Sequence, residues 1–248
     1  MSSTFTITRD ETINAALRAL GVLSEGAVAN ATQLSDCSQA LNILLKSWAQ
    51  KGYKGWLYRT VTFPFVASLG TYTMGPSGAT VTTDRPLRIA TAWWQSTGTF
   101  TNRVPMVPVA LADFNALTPS NQTGQPTTWN YQATFTAPAT TALGTFRVWP
   151  APLTTDGNFG VSVQRPIDDI TTGANSVDVP QTLFAAMKFG LADAVGLDYG
   201  ADERILNRVE KKAAIAIAEA FDFEEEDSSV FFQPNPQGGF APGGNGGF

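Results

Sequence analysis

Near the start of the chain, apolar residues recur at the three- and four-residue spacing of a helix that buries one side. Thr8 followed by Glu11 fits a capping box, in which each side chain satisfies a free backbone N–H. Ile13, Ala16, Leu17 and Leu20 then share one face, and Gly21 stops the run. After a polar, small-residue connector from Ser24 to Ala31, a second helix is predicted. It is capped by Thr32, striped by Leu34, Cys37, Leu41, Leu44, Leu45 and Trp48, and ended by Gly52. Two facing apolar stripes so close in sequence are expected to pack antiparallel against each other.

From Trp56 the period changes. Leu57 to Val66 is rich in β-branched and aromatic residues with partial alternation, and Leu87 to Gln95 reads as another strand. Short apolar runs follow at Val104 to Val109, Thr128 to Phe135, Thr145 to Trp149 and Phe159 to Gln164, with Gly, Pro, Asn, Thr and Ser between them. Such short strands between breakers predict an antiparallel sandwich or barrel. Leu111 to Leu117 is expected to form a short helix with Asp113 near its start. Pro150-Ala151-Pro152 is expected to break structure at a strand end.

Helical spacing returns after Val179. Pro180 suits a first helical position, where its missing N–H leaves no bond unmade. Leu183, Phe184, Met187, Leu191 and Val195 form a stripe that runs to about Gly196. Asp202 and Glu203 suit the positive end of a final helix, whose buried face is Ile205, Leu206, Val209, Ala213, Ala216, Ile217 and Ala220. The expected fold class is α+β. A helical bundle formed by the N- and C-terminal helices carries an inserted antiparallel β-sandwich or barrel-like domain and an extended C-terminal arm. The expected boundaries are 1–55 for the first helical pair, 56–178 for the β domain, 179–225 for the second pair and 226–248 for the arm. Leu17, Leu41, Leu45, Trp48, Leu191, Ile205 and Val209 are the expected bundle core.

Charge sharpens the reading of the arm. The chain holds 21 acids against 16 Lys and Arg, for a net charge of −5. Asp222, Glu224, Glu225, Glu226 and Asp227 account for that whole imbalance. The remaining charges read as scattered, with no Lys/Arg cluster of the kind that grips nucleic acid. Beyond the acidic run the chain is rich in Gly, Pro and Asn yet keeps Phe231, Phe232, Phe240 and Phe248. A segment too polar to order itself but bearing aromatic anchors is expected to order on a partner. Val230, Phe231, Phe232, Gln233 and Pro234 are the expected docking residues.

Composition removes several chemistries. The chain has no histidine, so a Ser-His-Asp triad, a Cys-His pair and His-ligated metals are excluded. Its single cysteine, Cys37, excludes an intrachain disulfide and lies on the apolar stripe of a predicted helix, where it reads as a small core residue. No phosphate-binding loop, dinucleotide fingerprint or nucleophile elbow is present. No cofactor and no catalytic residue is expected. Paired carboxylates are the remaining route to an enzyme, as in glycoside cleavage. Glu11, Glu25, Asp113, Asp168 and Asp169 are the candidates, each with a plainer reading as a cap, connector or turn residue. The acidic run lacks the Gly and alternation of a calcium loop. Met1 to Arg9 is polar and does not read as a signal peptide, and no run is long and apolar enough to span a membrane. Charged residues make up only 15% of the chain, which nevertheless holds six Trp and sixteen Phe. Few charges with many aromatics is how permanent subunit interfaces look.

Taken together, a set of short motifs resembles a known family. Residues 16–23 read Ala-Leu-Arg-Ala-Leu-Gly-Val-Leu, and residues 41–52 read Leu-Asn-Ile-Leu-Leu-Lys-Ser-Trp-Ala-Gln-Lys-Gly. Trp56-Leu57-Tyr58, Arg147-Val148-Trp149-Pro150-Ala151-Pro152, Gln164-Arg165-Pro166, Gly190-Leu191-Ala192-Asp193 and Ala220-Phe221-Asp222-Phe223 follow. The combination, over about residues 9–235, resembles the head-to-tail adaptors of podoviruses, also called packaged-DNA stabilisation or tail-tubular-protein-A-like head completion proteins. The resemblance implies a dodecameric ring under the portal protein, with the C-terminal arm climbing onto the portal. It also implies a tail nozzle, and sometimes fibres or spikes, on the other ring face. DNA would pass through the channel without specific binding. Localisation at the head-tail junction of the virion follows, after assembly in the host bacterial cytoplasm. A virion-associated peptidoglycan hydrolase using paired carboxylates and a receptor- or glycan-binding tail module are the alternatives. The role of residues 236–248 does not follow from the resemblance.

Overall fold

The structure is a computed structural model that describes residues 5–51, 55–97, 102–119, 121–134, 143–170, 172–174 and 177–224. It is mixed α+β. Among the described residues there are five α-helices and three sheets, none closed into a barrel.

Helix α1 (Arg9–Ala19) begins as its sequence predicts. Glu11 N donates to Thr8 Oγ1 at 3.3 Å, and Thr8 N donates to Glu11 Oε2 at 2.9 Å. The run ends at Gly21, whose φ of 77° is a conformation that favours glycine. Helix α2 (Ala31–Lys51) starts earlier than expected, because Asn30 and not Thr32 caps it. Gln33 N donates to Asn30 Oδ1 at 2.8 Å, while Asn30 N donates to Gln33 Oε1 at 2.9 Å. This is the same reciprocal device made with amides. Pro180 likewise stands outside its helix. It caps a short 3-10 turn, Gln181–Leu183, and α4 (Phe184–Gly196) follows that turn. Helix α5 (Glu203–Glu224) is opened by Asp202, whose Oδ1 accepts from Arg204 N at 2.8 Å.

These four helices share one apolar core. Helix α4 is its hub, with Ala186, Met187, Gly190, Leu191, Ala192, Val195 and Gly196 all buried. A helix that is apolar on nearly every side must be covered on every side. Helices α1 and α2 therefore pack against α4 more extensively than against each other.

The strands are β1 (Tyr58–Pro64), β2 (Thr71–Gly75), β3 (Val81–Thr82), β4 (Arg88–Ser96), β5 (Arg103–Pro105), β6 (Val107–Pro108), β7 (Thr123–Gly124), β8 (Thr128–Ala133), β9 (Gly144–Trp149), β10 (Ala151–Pro152) and β11 (Gly157–Gln164). A short helix, α3 (Leu111–Asn115), lies between β6 and β7. One sheet has the order β1-β11-β4-β5 and is antiparallel throughout. The other large sheet, β3-β2-β9-β8-β6, is antiparallel only at its centre. Its edge strands β3 and β6 pair parallel, as do β7 and β10 in a small ribbon, so the purely antiparallel expectation is corrected. The cause at one edge is local. Only Met106 separates β5 from β6, and the prolines at 105 and 108 lack the N–H needed to extend either strand. The chain passes from one sheet to the other there, and Val107 N donates to Thr127 O at 2.9 Å. The Pro150-Ala151-Pro152 step ends β9 at Trp149 as expected, and Ala151 and Pro152 then form β10 in the small ribbon.

The two large sheets share a second core. Alternation in β9 buries Gly144, Phe146 and Val148, while β11 is buried along most of its length. Phe159 is the centre. Its ring lies 5.4 Å from Phe63, 4.4 Å from Phe65, 5.4 Å from Tyr72 and 5.9 Å from Phe146, tilted or edge-on in each case. On the opposite face of β11, Gly160 is paired with Trp93, whose ring lies where a Cβ would stand. The Arg103 guanidinium sits 5.0 Å from the Trp93 ring centroid.

The chain links the two cores through a short polar junction. Buried Gln164 donates from Nε2 to Ala49 O at 3.0 Å, and Arg165 N donates to Leu57 O at 3.0 Å. Arg165 also grips Asp178 with both guanidinium nitrogens, at 2.5 and 2.7 Å. Asn42 on α2 accepts from Ile170 N at 3.0 Å. Ile167, Ile170 and Val177, which the sequence pattern leaves with the strands, pack into the helical core together with Trp56 and Leu57.

Candidate functional site

The predicted bundle residues are spent on internal packing. Leu17, Leu41, Leu45, Trp48, Leu191 and Val209 are buried in the helical core, and Ile205 is half-buried at its margin. Cys37 is buried among them, with Sγ 3.8 Å from the Tyr199 hydroxyl, and burial pushes its thiol pKa up. The predicted docking residues Val230 to Pro234 lie outside the described residues, as does the acidic run from Glu225 onward.

The surface that remains has three notable parts. The first is apolar. Val28, Ile43, Leu197 and Ile215 on the helical side are 58–80% exposed, and Val107 and Leu153 on the strand side are also largely exposed. Single exposed apolar residues are ordinary, so they matter here only as a group on a chain with few charges.

The second part is a charged face. Arg204, Arg208, Lys211 and Lys212 are exposed and recur at the four- and three-residue spacing that places them on one side of α5. Spaced along the sequence, they form a stripe on the helix. The 3.6-residue period, applied to basic residues as well as apolar ones, is the signal that would have found it. Glu219 and Asp222 continue the exposed face with the opposite sign. Where α4 meets α5, Lys188 and Lys212 place their ammonium groups 5.1 and 5.3 Å from the Phe189 ring centroid. Burial, and then the neighbouring Glu210 carboxylate, raise the Asp193 pKa above its ordinary value.

The third part is a pair of clefts on the strand side. One, of about 460 Å³, has Phe114, Trp149, Asn115 and Asn121 among its lining residues. The other, of about 420 Å³, has Phe65, Trp94, Gln125 and Asp156.

The five candidate carboxylates come from separate elements, save the adjacent Asp168 and Asp169. Glu11 is engaged in the α1 cap, where the Thr8 N–H and hydroxyl hold its carboxyl below the usual range. Asp169 pairs with Lys46 at 2.5 Å, and Asp113 lies in the first turn of α3. None of these five, Glu25 and Asp168 included, is hydrogen-bonded to another. Among the described residues no group of three or more Cys, Asp or Glu is placed to hold a metal ion, and no helix is long and apolar enough to cross a membrane. No protein-family model matches the chain, and no curated protein matches it.

Proposed function

We propose that this chain is a structural, non-enzymatic subunit of a short-tailed bacteriophage virion. In this reading it forms a head-to-tail adaptor ring that joins the portal protein to the tail nozzle, closes the packaged capsid and lines part of the DNA ejection channel. We read the fold as a bundle of the N- and C-terminal helices with an inserted β-sandwich. The organisation of its two cores supports the reading most directly. Helices from the two ends of the chain build one core, while the strands between them keep another. That arrangement is the one the family resemblance implies.

Other features fit the same role. Helix α5 leads straight into the acidic, Phe-bearing end of the chain, so an arm at that end starts from a well-packed helix. Exposed apolar residues and the charged α5 face are surfaces that neighbours can use. Twelve-fold attachment multiplies modest single contacts into a durable joint. The hydrolase alternative requires two carboxylates at a set separation, and no observation favours a pair among the five candidates.

The direct test mixes the purified chain with the portal protein of its own phage and measures the assembly by native mass spectrometry. A ring or portal-bound oligomer is expected. Removing residues 228–248 should leave a folded chain that no longer joins heads. A chain that stays monomeric and ignores the portal overturns the proposal.

A further inference from the structure

We propose that the larger strand-side cleft is a binding subsite for the ring of a neutral sugar. This inference is independent of the adaptor reading. The cleft encloses about 460 Å³, within the roughly 300–1,000 Å³ of small-ligand sites. It lies between the Ser68 turn, helix α3 and the strands β7, β9 and β10.

Two aromatic residues wall it, Phe114 from α3 and Trp149 from the end of β9. Trp149 is fixed before any ligand arrives. Its indole Nε1 donates to Pro119 O at 3.1 Å. Its backbone carbonyl accepts from Thr127 N at 3.1 Å and from the Thr127 and Thr128 hydroxyls at 3.3 and 3.0 Å. A ring held in place loses little freedom when something stacks on it.

Ser68, Thr71, Asn115, Asn121 and Thr123 complete the polar part of the lining. None of these five side chains is hydrogen-bonded to another described residue, so their donors and acceptors are free for a ligand. Ser68 has a φ of 62°, the left-handed region, and is the only non-glycine there among the described residues. Its N–H donates to Pro152 O at 2.8 Å, which holds the turn in that conformation. Backbone of this kind in a non-glycine residue gathers at ligand sites.

The chemistry selects the ligand class. Among the described residues no charged side chain lines the cleft, so a phosphate, a carboxylate or an ammonium group would enter without a counter-charge. A purely apolar ligand would strip water from five polar side chains and give nothing back. A sugar ring has an apolar C–H face for an aromatic wall and hydroxyls that both donate and accept, which suits hydroxyl and amide side chains.

The test is saturation-transfer NMR on the full chain with glucose, methyl galactoside, N-acetylglucosamine and maltose, and with glucose 6-phosphate as the charged control. Transfer to the ring protons of at least one neutral sugar at millimolar concentration is expected, with none to the phosphorylated control. Trp149→Ala should abolish it. Because Trp149 ends a strand, the double variant Asn115→Ala/Asn121→Ala provides the second check on two exposed side chains. It should weaken binding by about tenfold, near 1.4 kcal/mol. Absence of transfer to every neutral sugar overturns the proposal. So does equal transfer in the double variant, or transfer to glucose 6-phosphate as strong as to glucose.

Discussion

The helical core and the strand core are built from different materials. Leu, Ala, Ile and Val dominate the first, drawn chiefly from helices at both ends of the chain around the apolar hub α4. The second, between two sheets, is centred on a cluster of aromatic rings, with Phe159 touching four others. Aliphatic side chains on helices pack through many small, interchangeable contacts, whereas ring clusters depend on a few large groups in set orientations. The strand core is thus expected to be the less forgiving of the two, with Gln164 as a buried polar link between them.

The largest effect should come from Phe159→Ala, at about 3–5 kcal/mol. Urea unfolding in a Trp48→Phe/Trp56→Phe background, followed by the fluorescence of the remaining strand tryptophans, measures it. Labelling of the buried Cys37 thiol reports separately on the helical core. If Phe159→Ala accelerates Cys37 labelling as strongly as it shifts the fluorescence transition, the two cores unfold as one and the contrast drawn here fails. Leu191→Ala removes a fully buried side chain from the hub and should cost about 2–5 kcal/mol, exposing Cys37 ahead of the strand transition. Gln164→Ala deletes a buried hydrogen bond to Ala49 O and should cost about 1–3 kcal/mol. Its distinguishing sign is separation of the two probes' midpoints, and coincident midpoints would argue against a junction role. Asn30→Ala should cost about 1 kcal/mol through the lost α2 cap, read from the Cys37 labelling rate.

The smallest effect concerns pH. Glu11 has a folded-state pKa below its ordinary 4.5, because the Thr8 N–H and hydroxyl bind the ionised carboxyl. Its contribution is therefore present above pH 4.5 and is lost as pH falls through the lower folded value. Glu11→Gln should flatten the acid side of the stability-pH curve slightly and leave neutral pH nearly unchanged. An unaltered acid limb would show that the cap carries no charge-dependent part.

The helices were the most legible elements, for a local reason. Thr8 with Glu11, the stripe of α2 and the Asp202 start of α5 rest on contacts within a turn or two of chain, which residue order itself dictates. Even there the α2 cap was misplaced, because an Asn–Gln pair does the work usually given to Ser or Thr with Glu. Strand existence was legible from alternation, but pairing was not. Whether β6 runs parallel to β8 depends on which strand receives the chain after it crosses at Met106, and Pro105 and Pro108 mark the crossing without naming that strand. Among site features, the α5 basic stripe was present in the spacing of Arg204, Arg208, Lys211 and Lys212 and only had to be read with the helical period. The cleft was not legible at all. Ser68, Asn115, Asn121 and Trp149 meet there only because two sheets and a short helix bring them together.

From residue order alone came the helical ends, the strand-rich middle, the absence of histidine chemistry and the acidic, aromatic-bearing terminus. Each rests on short-range periodicity or simple composition. The hub position of α4, the mixed pairing of the second sheet, the ring cluster around Phe159 and the neutral cleft were decided by the tertiary structure. These are contacts between residues far apart along the chain, and they exist only once buried apolar surface has forced distant segments to share a core.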